Sequence, residues 1–140
     1  VKNRRLVVPA EAKYLRQVRE FAEKYGKSQG FSRRDINSLK ISLDEICSNI
    51  VLYAYRDMER GDIQIEIKRE NGSIIVHIED RGVEFDYSSV KTPDLQKYVE
   101  QKMKGGLGLH LVKSMNDKVR YERVGGRNIY TLQKNLESEY

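Results

Sequence analysis

Ile63, Ile65 and Ile67 alternate with Gln64 and Glu66, and Ile74, Val76 and Ile78 follow the same every-other-residue rhythm after Asn71-Gly72. A period of two turns alternate side chains to one face, and Asn-Gly is a preferred two-residue reversal, so the pattern predicts a tight antiparallel hairpin. Upstream the rhythm changes. Leu15, Val18, Ala22 and Tyr25 recur at three- and four-residue steps, predicting a helix for which Gly26 would supply the left-handed stop. Ser32, with Asp35 three residues on, opens a second helix in the manner of a capping box. Its stripe of Ile36, Leu39, Leu43, Ile46, Ile50 and Ala54, with Cys47 at the margin, carries it to about Tyr55. Before these helices, Arg4 to Val8 reads as an opening strand ended by Pro9, which has no N–H to give a ladder.

Beyond the hairpin the pattern weakens. The stretch from Val83 to Lys104 is polar, contains Pro93 and has only a faint helical period, so it is expected to be a mobile lid with one short helix. Gly105, Gly106 and Gly108 precede a helix carrying Leu111, Val112 and Met115, and strands over roughly 118–124 and 128–133 close around Gly125-Gly126.

A chain of 140 residues, 39% hydrophobic, is long enough for one core and too short for two ordinary domains, so residues 1–140 are read as a single domain. The lone Cys47 cannot form an internal bridge, and no leader-like segment is evident, which points to a reducing, cytoplasmic setting. No apolar run approaches the roughly 20 residues that cross a bilayer, and no membrane contact is expected. The net charge of +5 raises the question of nucleic acid, but 26 basic residues are interspersed with 21 acidic ones. Direct nucleic-acid binding is therefore not expected; a mild positive field suits a polyphosphate or an acidic protein partner.

Glu45 and Asn49 lie four residues apart, and so on one face of the long helix, roughly opposite the apolar stripe. Ile41 and Leu52 share that side, which suggests a covered cleft. A carboxylate there can take a proton from a hydroxyl, and an amide oxygen is a hard ligand suited to Mg2+. Asp80 stands where a buried strand gives way to Gly82, at a pocket edge. Adenine presents an exocyclic donor where guanine presents an acceptor, so one fixed carboxylate there selects between them, and Gly82 allows the base to approach the chain. The Gly105-Gly106-Leu107-Gly108 loop ends at a helix start, where free N–H groups favour an anion; it is not a P-loop.

The E-x-x-x-N helix (Glu45, Asn49), the D-x-G-x-x-F-D turn after a hairpin (Asp80, Gly82, Phe85, Asp86) and G-G-L-G-L before a helix (Gly105 to Leu109) resemble, in that order, the three nucleotide boxes of the GHKL ATPases. The length, the Gly-Val-x-Phe-Asp form of the second box and a closing strand ending in Lys134 resemble the small anti-sigma factor serine kinases. The resemblance implies an α+β fold of Bergerat type, a two-layer sandwich whose mixed, mostly antiparallel sheet is covered on one face by helices. It implies ATP and Mg2+ as cofactors, with Glu45 as general base, Asn49 as the Mg2+ ligand and Asp80 as adenine reader. Gly82 would line the base pocket and Gly106 and Gly108 the phosphate track, with Tyr53, Phe85, Gly105, Leu107 and Leu109 also counted with the ATP site. It also implies a homodimeric kinase that phosphorylates a serine of an anti-anti-sigma antagonist of STAS type, the unphosphorylated antagonist competing with a sigma factor.

The chain departs from that pattern in two places. Tyr53 stands where many relatives carry His or Lys, with Lys102 or Lys104 as replacements for the lost charge. Gly126-Arg127-Asn128 replaces a glycine-threonine pair, leaving Asn128 or Thr131 to take the hydroxyl's place; Thr131 is counted with the ATP site. These changes favour a second reading, a nucleotide-sensing interaction module with little or no kinase activity. A sensor histidine kinase catalytic domain is a third, disfavoured because no phosphoacceptor helix pair precedes Arg4. His77 and His110 have no neighbours at metal-ligand spacing, and Cys47 reads as a small core residue.

Overall fold

The computed structural model describes residues 3–85 and 108–136, with residues 108–110 described by their backbone alone. Strand β1 (Asn3–Pro9) is followed by a 3-10 turn (Ala12–Tyr14), helix α1 (Leu15–Ser28) and helix α2 (Arg33–Asn49), which runs into a π-helical turn (Ile50–Ala54). Then come β2 (Asp62–Glu70), β3 (Ser73–Asp80), α3 (Gly108–Met115), β4 (Lys118–Val124) and β5 (Arg127–Asn135). The five strands form one sheet in the order β1-β2-β3-β5-β4, and α2 packs against both α1 and α3. This is the expected two-layer α+β sandwich. Among the described residues the expected mostly antiparallel sheet is antiparallel at each pairing, because β4 and β5 form a hairpin whose second strand runs back beside β3.

The hairpin register follows from the alternation. Ile65 pairs with Ile78 and Ile67 with Val76, and the reversal is closed by Asn71 at φ 54°, in the left-handed region that asparagine tolerates. Val8, Ile63, Ile65, Ile67, Ile74, Val76, Ile78, Tyr130 and Leu132 are all between 0% and 3% exposed, and together they form the sheet's half of the core. Truncating one of these isoleucines to alanine costs about 2–5 kcal/mol. The second hairpin turns at Gly125 (φ 55°) and Gly126 (φ 77°), two successive positive angles that glycine supplies without strain.

Gly26 does not end α1. It stays helical because α1 crosses α2 there: a Cβ on Gly26 would lie 2.5 Å from Ile36 Cγ1, so close packing demands the glycine. The left-handed residue is Gly30, at φ 71°. Ser32 caps α2 as expected, its Oγ accepting from Asp35 N at 3.1 Å. The stripe of α2 broadens into a wide buried face that includes Cys47 at 0% exposure, because sheet, α1 and α3 all pack on it. At Ile50 the helix widens into the π turn instead of running on to Tyr55 as one α-helix. Periodicity could not show this, since Ile50 and Ala54 point inward in both geometries. The Ala54 carbonyl accepts from Val83 N at 2.6 Å, outside the helix. Lys134 ties α3 to β5, its Nζ donating to Met115 O at 3.1 Å where a cation suits the carbonyl end of a helix.

Candidate nucleotide site

Asp80 closes β3 on its inner face, continuing the Val76 and Ile78 alternation, and is 1% exposed. Its Oδ1 accepts from Gly82 N and from Asn128 Nδ2, both at 2.8 Å. Its Oδ2 is buried with no partner among the described residues. Burial pushes the carboxyl's pKa up, and the bonds from Asn128 and Gly82 only partly offset this. A buried acceptor left without a donor is costly, so an atom of this kind calls for a partner from outside the described residues.

The turn after Asp80 is held from both sides. Arg81 N donates to Tyr55 Oη at 3.0 Å, and that hydroxyl donates to Asp62 O at 2.6 Å, so Tyr55 bridges the start of β2 and the end of β3. Gly82 packs against the π turn so closely that a Cβ would lie 2.0 Å from Ala54 O. The glycine read as leaving room for a base is thus also required by the protein's own backbone.

The contact between Val83 and Ala54 brings this turn to the end of α2 where Asn49 stands. Asn49 is 4% exposed, and neither Nδ2 nor Oδ1 has a partner among the described residues. It therefore lies on the buried flank of α2, not opposite the stripe, because α3 widens the covered face; Asn116 Nδ2 donates to Ser42 Oγ on that flank at 3.0 Å. Glu45, one turn earlier, is half-buried and lines a cleft of about 330 Å³ with Arg19, Asn37, Lys40, Ile41 and Asp44. Ile41 and Leu52, read as signs of a covered cleft, are 36% and 56% exposed.

Tyr53 is half-buried within the π turn, and burial raises its hydroxyl pKa; it brings no cation there. Phe85 packs edge-on against Tyr121 and Tyr130, with ring centroids 5.9 and 6.0 Å apart. Gly108 opens α3 with Leu109 behind it, so the glycine loop does lead into a helix. Gly105, Gly106, Leu107, Asp86, Lys102, Lys104 and most of the expected lid lie outside the described residues. Thr131 is not brought to the site. Asn128, Tyr130 and Leu132 point inward along β5, so Thr131 faces the other side of the sheet, its Oγ1 3.2 Å from His77 Nδ1. The residue beside Asp80 is Asn128, 1% exposed. Tyr55, Tyr121 and Arg123 were also missed as site residues. Tyr121 had a signal, since the alternation of β4 turns it inward with Val119, whereas Arg123 is exposed and reaches the site through its guanidinium alone.

No group of three or more His, Cys, Asp or Glu that could hold a metal occurs among the described residues, so a cation here needs oxygens from elsewhere. The orphaned Asn49 amide fits such a partial set, because Mg2+ keeps waters and phosphate oxygens and takes few protein ligands. No helix among the described residues is long and apolar enough to cross a membrane.

A buried carboxylate at the end of β3 and a buried amide at the end of α2, each with polar atoms unpartnered among the described residues, suit a nucleotide-binding ATPase domain. Residues 8–134 match the histidine kinase-like ATPase domain, and the chain belongs to that family. Within it the chain is similar to serine-protein kinases named RsbW. Identity is 31% over 137 residues with that of Bacillus velezensis, covering 94% of this chain and 84% of the relative. It is 33% over 140 residues with that of Bacillus cereus strain G9842, covering 94% and 87%. The fold is shared with the crystal structure of the RsbU and RsbW domains of Rv1364c from Mycobacterium tuberculosis. The TM-score is 0.73 at 17% identity, over 97% of this chain and 33% of that one. The histidine kinase AdeS of Acinetobacter baumannii matches at TM-score 0.51 and 13% identity, over 96% of this chain and 70% of that one.

Proposed function

We propose that this chain is an ATP-dependent protein serine kinase and anti-sigma factor, working in a partner switch with a sigma factor and an anti-anti-sigma antagonist of STAS type. The observation that supports the reading is the unpartnered Asp80 Oδ2, an acceptor that would meet the exocyclic amine of adenine. Asn49 Oδ1 would hold Mg2+, which when bound screens phosphate charge. Glu45 would accept the proton of the attacking serine hydroxyl, and the Gly105 to Leu109 segment would carry the phosphates. Phosphoryl transfer is mainly positioning and charge stabilisation, and these groups supply both. Homodimerisation and a cytoplasmic location complete the proposal.

The two carboxylates separate in their effects. Glu45→Ala is expected to keep ATP affinity and abolish phosphorylation of the antagonist, whereas Asp80→Asn loses ATP binding; equal activity in both variants rejects the assignment. Tyr53 favours a second reading, a nucleotide sensor that sequesters its partner without transfer, because it offers no cation to the phosphates. Incubation with radiolabelled ATP and candidate antagonists distinguishes them: a sensor binds both and labels nothing.

A further inference from the structure

An asparagine carboxamide has two donor hydrogens and two acceptor sites, and Asn128 uses all four. Its Nδ2 donates to Asp80 Oδ1 at 2.8 Å and to Val83 O at 2.7 Å. Its Oδ1 accepts from Tyr121 Oη at 2.5 Å and from Arg123 Nη1 at 3.1 Å. The neighbours dictate this orientation, since a guanidinium only donates and a carboxylate or carbonyl only accepts. Saturated and buried, Asn128 has nothing left to give a ligand. It acts on the acceptor beside it.

The same hairpin also grips the chain that follows Asp80. Arg123 Nη1 donates to Gly82 O at 2.7 Å, Asn128 Nδ2 reaches Val83 O, and Tyr121 Oη accepts from Phe85 N at 3.0 Å. Residues 82, 83 and 85 are therefore each tied to β4 or β5.

We infer that the β4–β5 hairpin sets purine specificity: Asn128, backed by Tyr121 and Arg123, is a positioning residue that fixes the Asp80 carboxylate with Oδ2 as the one acceptor offered to an exocyclic amine. The inference rests on the adenine reading above. A carboxylate free to turn can swivel to suit a different base edge. A locked one meets the carbonyl of guanine acceptor to acceptor and cannot turn away. A hydroxyl at position 128 has one hydrogen and could satisfy Asp80 Oδ1 or Val83 O, not both.

The test is equilibrium binding of ATP, GTP and N6,N6-dimethyl-ATP to the wild-type chain, Asn128→Ala, Asn128→Thr, Tyr121→Phe and Asp80→Asn, with thermal melts as a check of folding. Asn128→Ala is expected to weaken ATP binding about tenfold to a hundredfold while changing GTP binding far less, so that the ATP-to-GTP preference collapses. Asn128→Thr should fall between. Tyr121→Phe, which removes one oxygen and keeps the ring, should move the preference the same way by a smaller factor, and it decides the matter if Asn128→Ala does not fold. A purely structural role lowers both affinities together and leaves their ratio unchanged, which overturns the inference, as does a wild-type chain that binds GTP as well as ATP. If Asp80→Asn loses ATP while the preference survives in the hairpin variants, this inference alone falls. If wild type binds no ATP, or Asp80→Asn binds it undiminished, the adenine reading falls and takes the inference with it.

Discussion

Replacing Asp80 by asparagine should raise the stability of the free protein while removing its response to ATP. The substitution keeps the shape and keeps Oδ1, which continues to accept from Gly82 N and Asn128 Nδ2. What changes is the other position, where a buried carboxylate oxygen without a partner becomes a neutral amide nitrogen. Burial raises the Asp80 pKa above its ordinary value. The ionised folded state is therefore penalised at neutral pH, and the penalty fades as pH falls through the raised value. An unpartnered neutral group still costs about 1–3 kcal/mol and a charged one more, so the net gain at pH 7 is of order 1 kcal/mol. For a domain of this size that is about 3 °C in Tm. Wild type at a nucleotide concentration a hundred times Kd gains about 2.7 kcal/mol, whereas a variant binding a hundredfold more weakly gains about 0.4 kcal/mol at the same concentration. The melting order should therefore invert, the variant higher without ATP–Mg2+ and wild type higher with it, in thermal unfolding followed by dye fluorescence. The variant's advantage without nucleotide should shrink on acidification. A variant that melts well below wild type in the absence of nucleotide, or gains the same shift from ATP, refutes the reasoning.

Gly26→Ala should destabilise by about 1–3 kcal/mol in urea melts, because its Cβ meets Ile36 Cγ1. In an Ile36→Ala background the same change should cost far less, and an additive double-mutant cycle would show that this contact is not the cause. Hydrogen bonds from Arg33 and Lys40 hold the Glu23 carboxyl at about 2, below the ordinary 4.5. Its contribution to stability is present above the ordinary range and is lost as pH falls through about 2. Glu23→Gln should therefore flatten the acid limb of Tm against pH, and an unchanged limb contradicts the pairing. Cys47 is fully buried, and its thiol pKa is pushed up by desolvation, so a thiol reagent should label it only at the rate of unfolding. Labelling within the mixing time under native conditions counts against its placement.

What could be read from the chain alone was direction, and what could not be read was contact. The alternation from Ile63 to Ile78 fixed register and facing, and the spacing from Ile36 to Ala54 fixed the inner side of α2, because both depend only on local geometry. The reason for a glycine is not local. Gly26 looked like a stop because it followed an apolar period, and it is a crossing point because Ile36, ten positions on, folds back against it. The π turn was hidden for the same reason, since its Ala54 carbonyl is engaged by Val83, far along the chain. Choosing between Asn128 and Thr131 was within reach: Tyr130 and Leu132 are the apolar members of β5, and residues in step with them point inward, which selects Asn128. That Asn128 would bond Asp80, 48 positions earlier, required knowing that β5 lies beside β3.

That strand order has a consequence during synthesis. Because β5 is inserted between β3 and β4, a nascent chain still attached to the ribosome before residue 128 emerges has an uncovered β3 edge and lacks the Asn128 bond that holds Asp80 from that side. On the reading proposed above such a product would hold a purine weakly, so nucleotide capture would mark a chain whose β5 has already emerged.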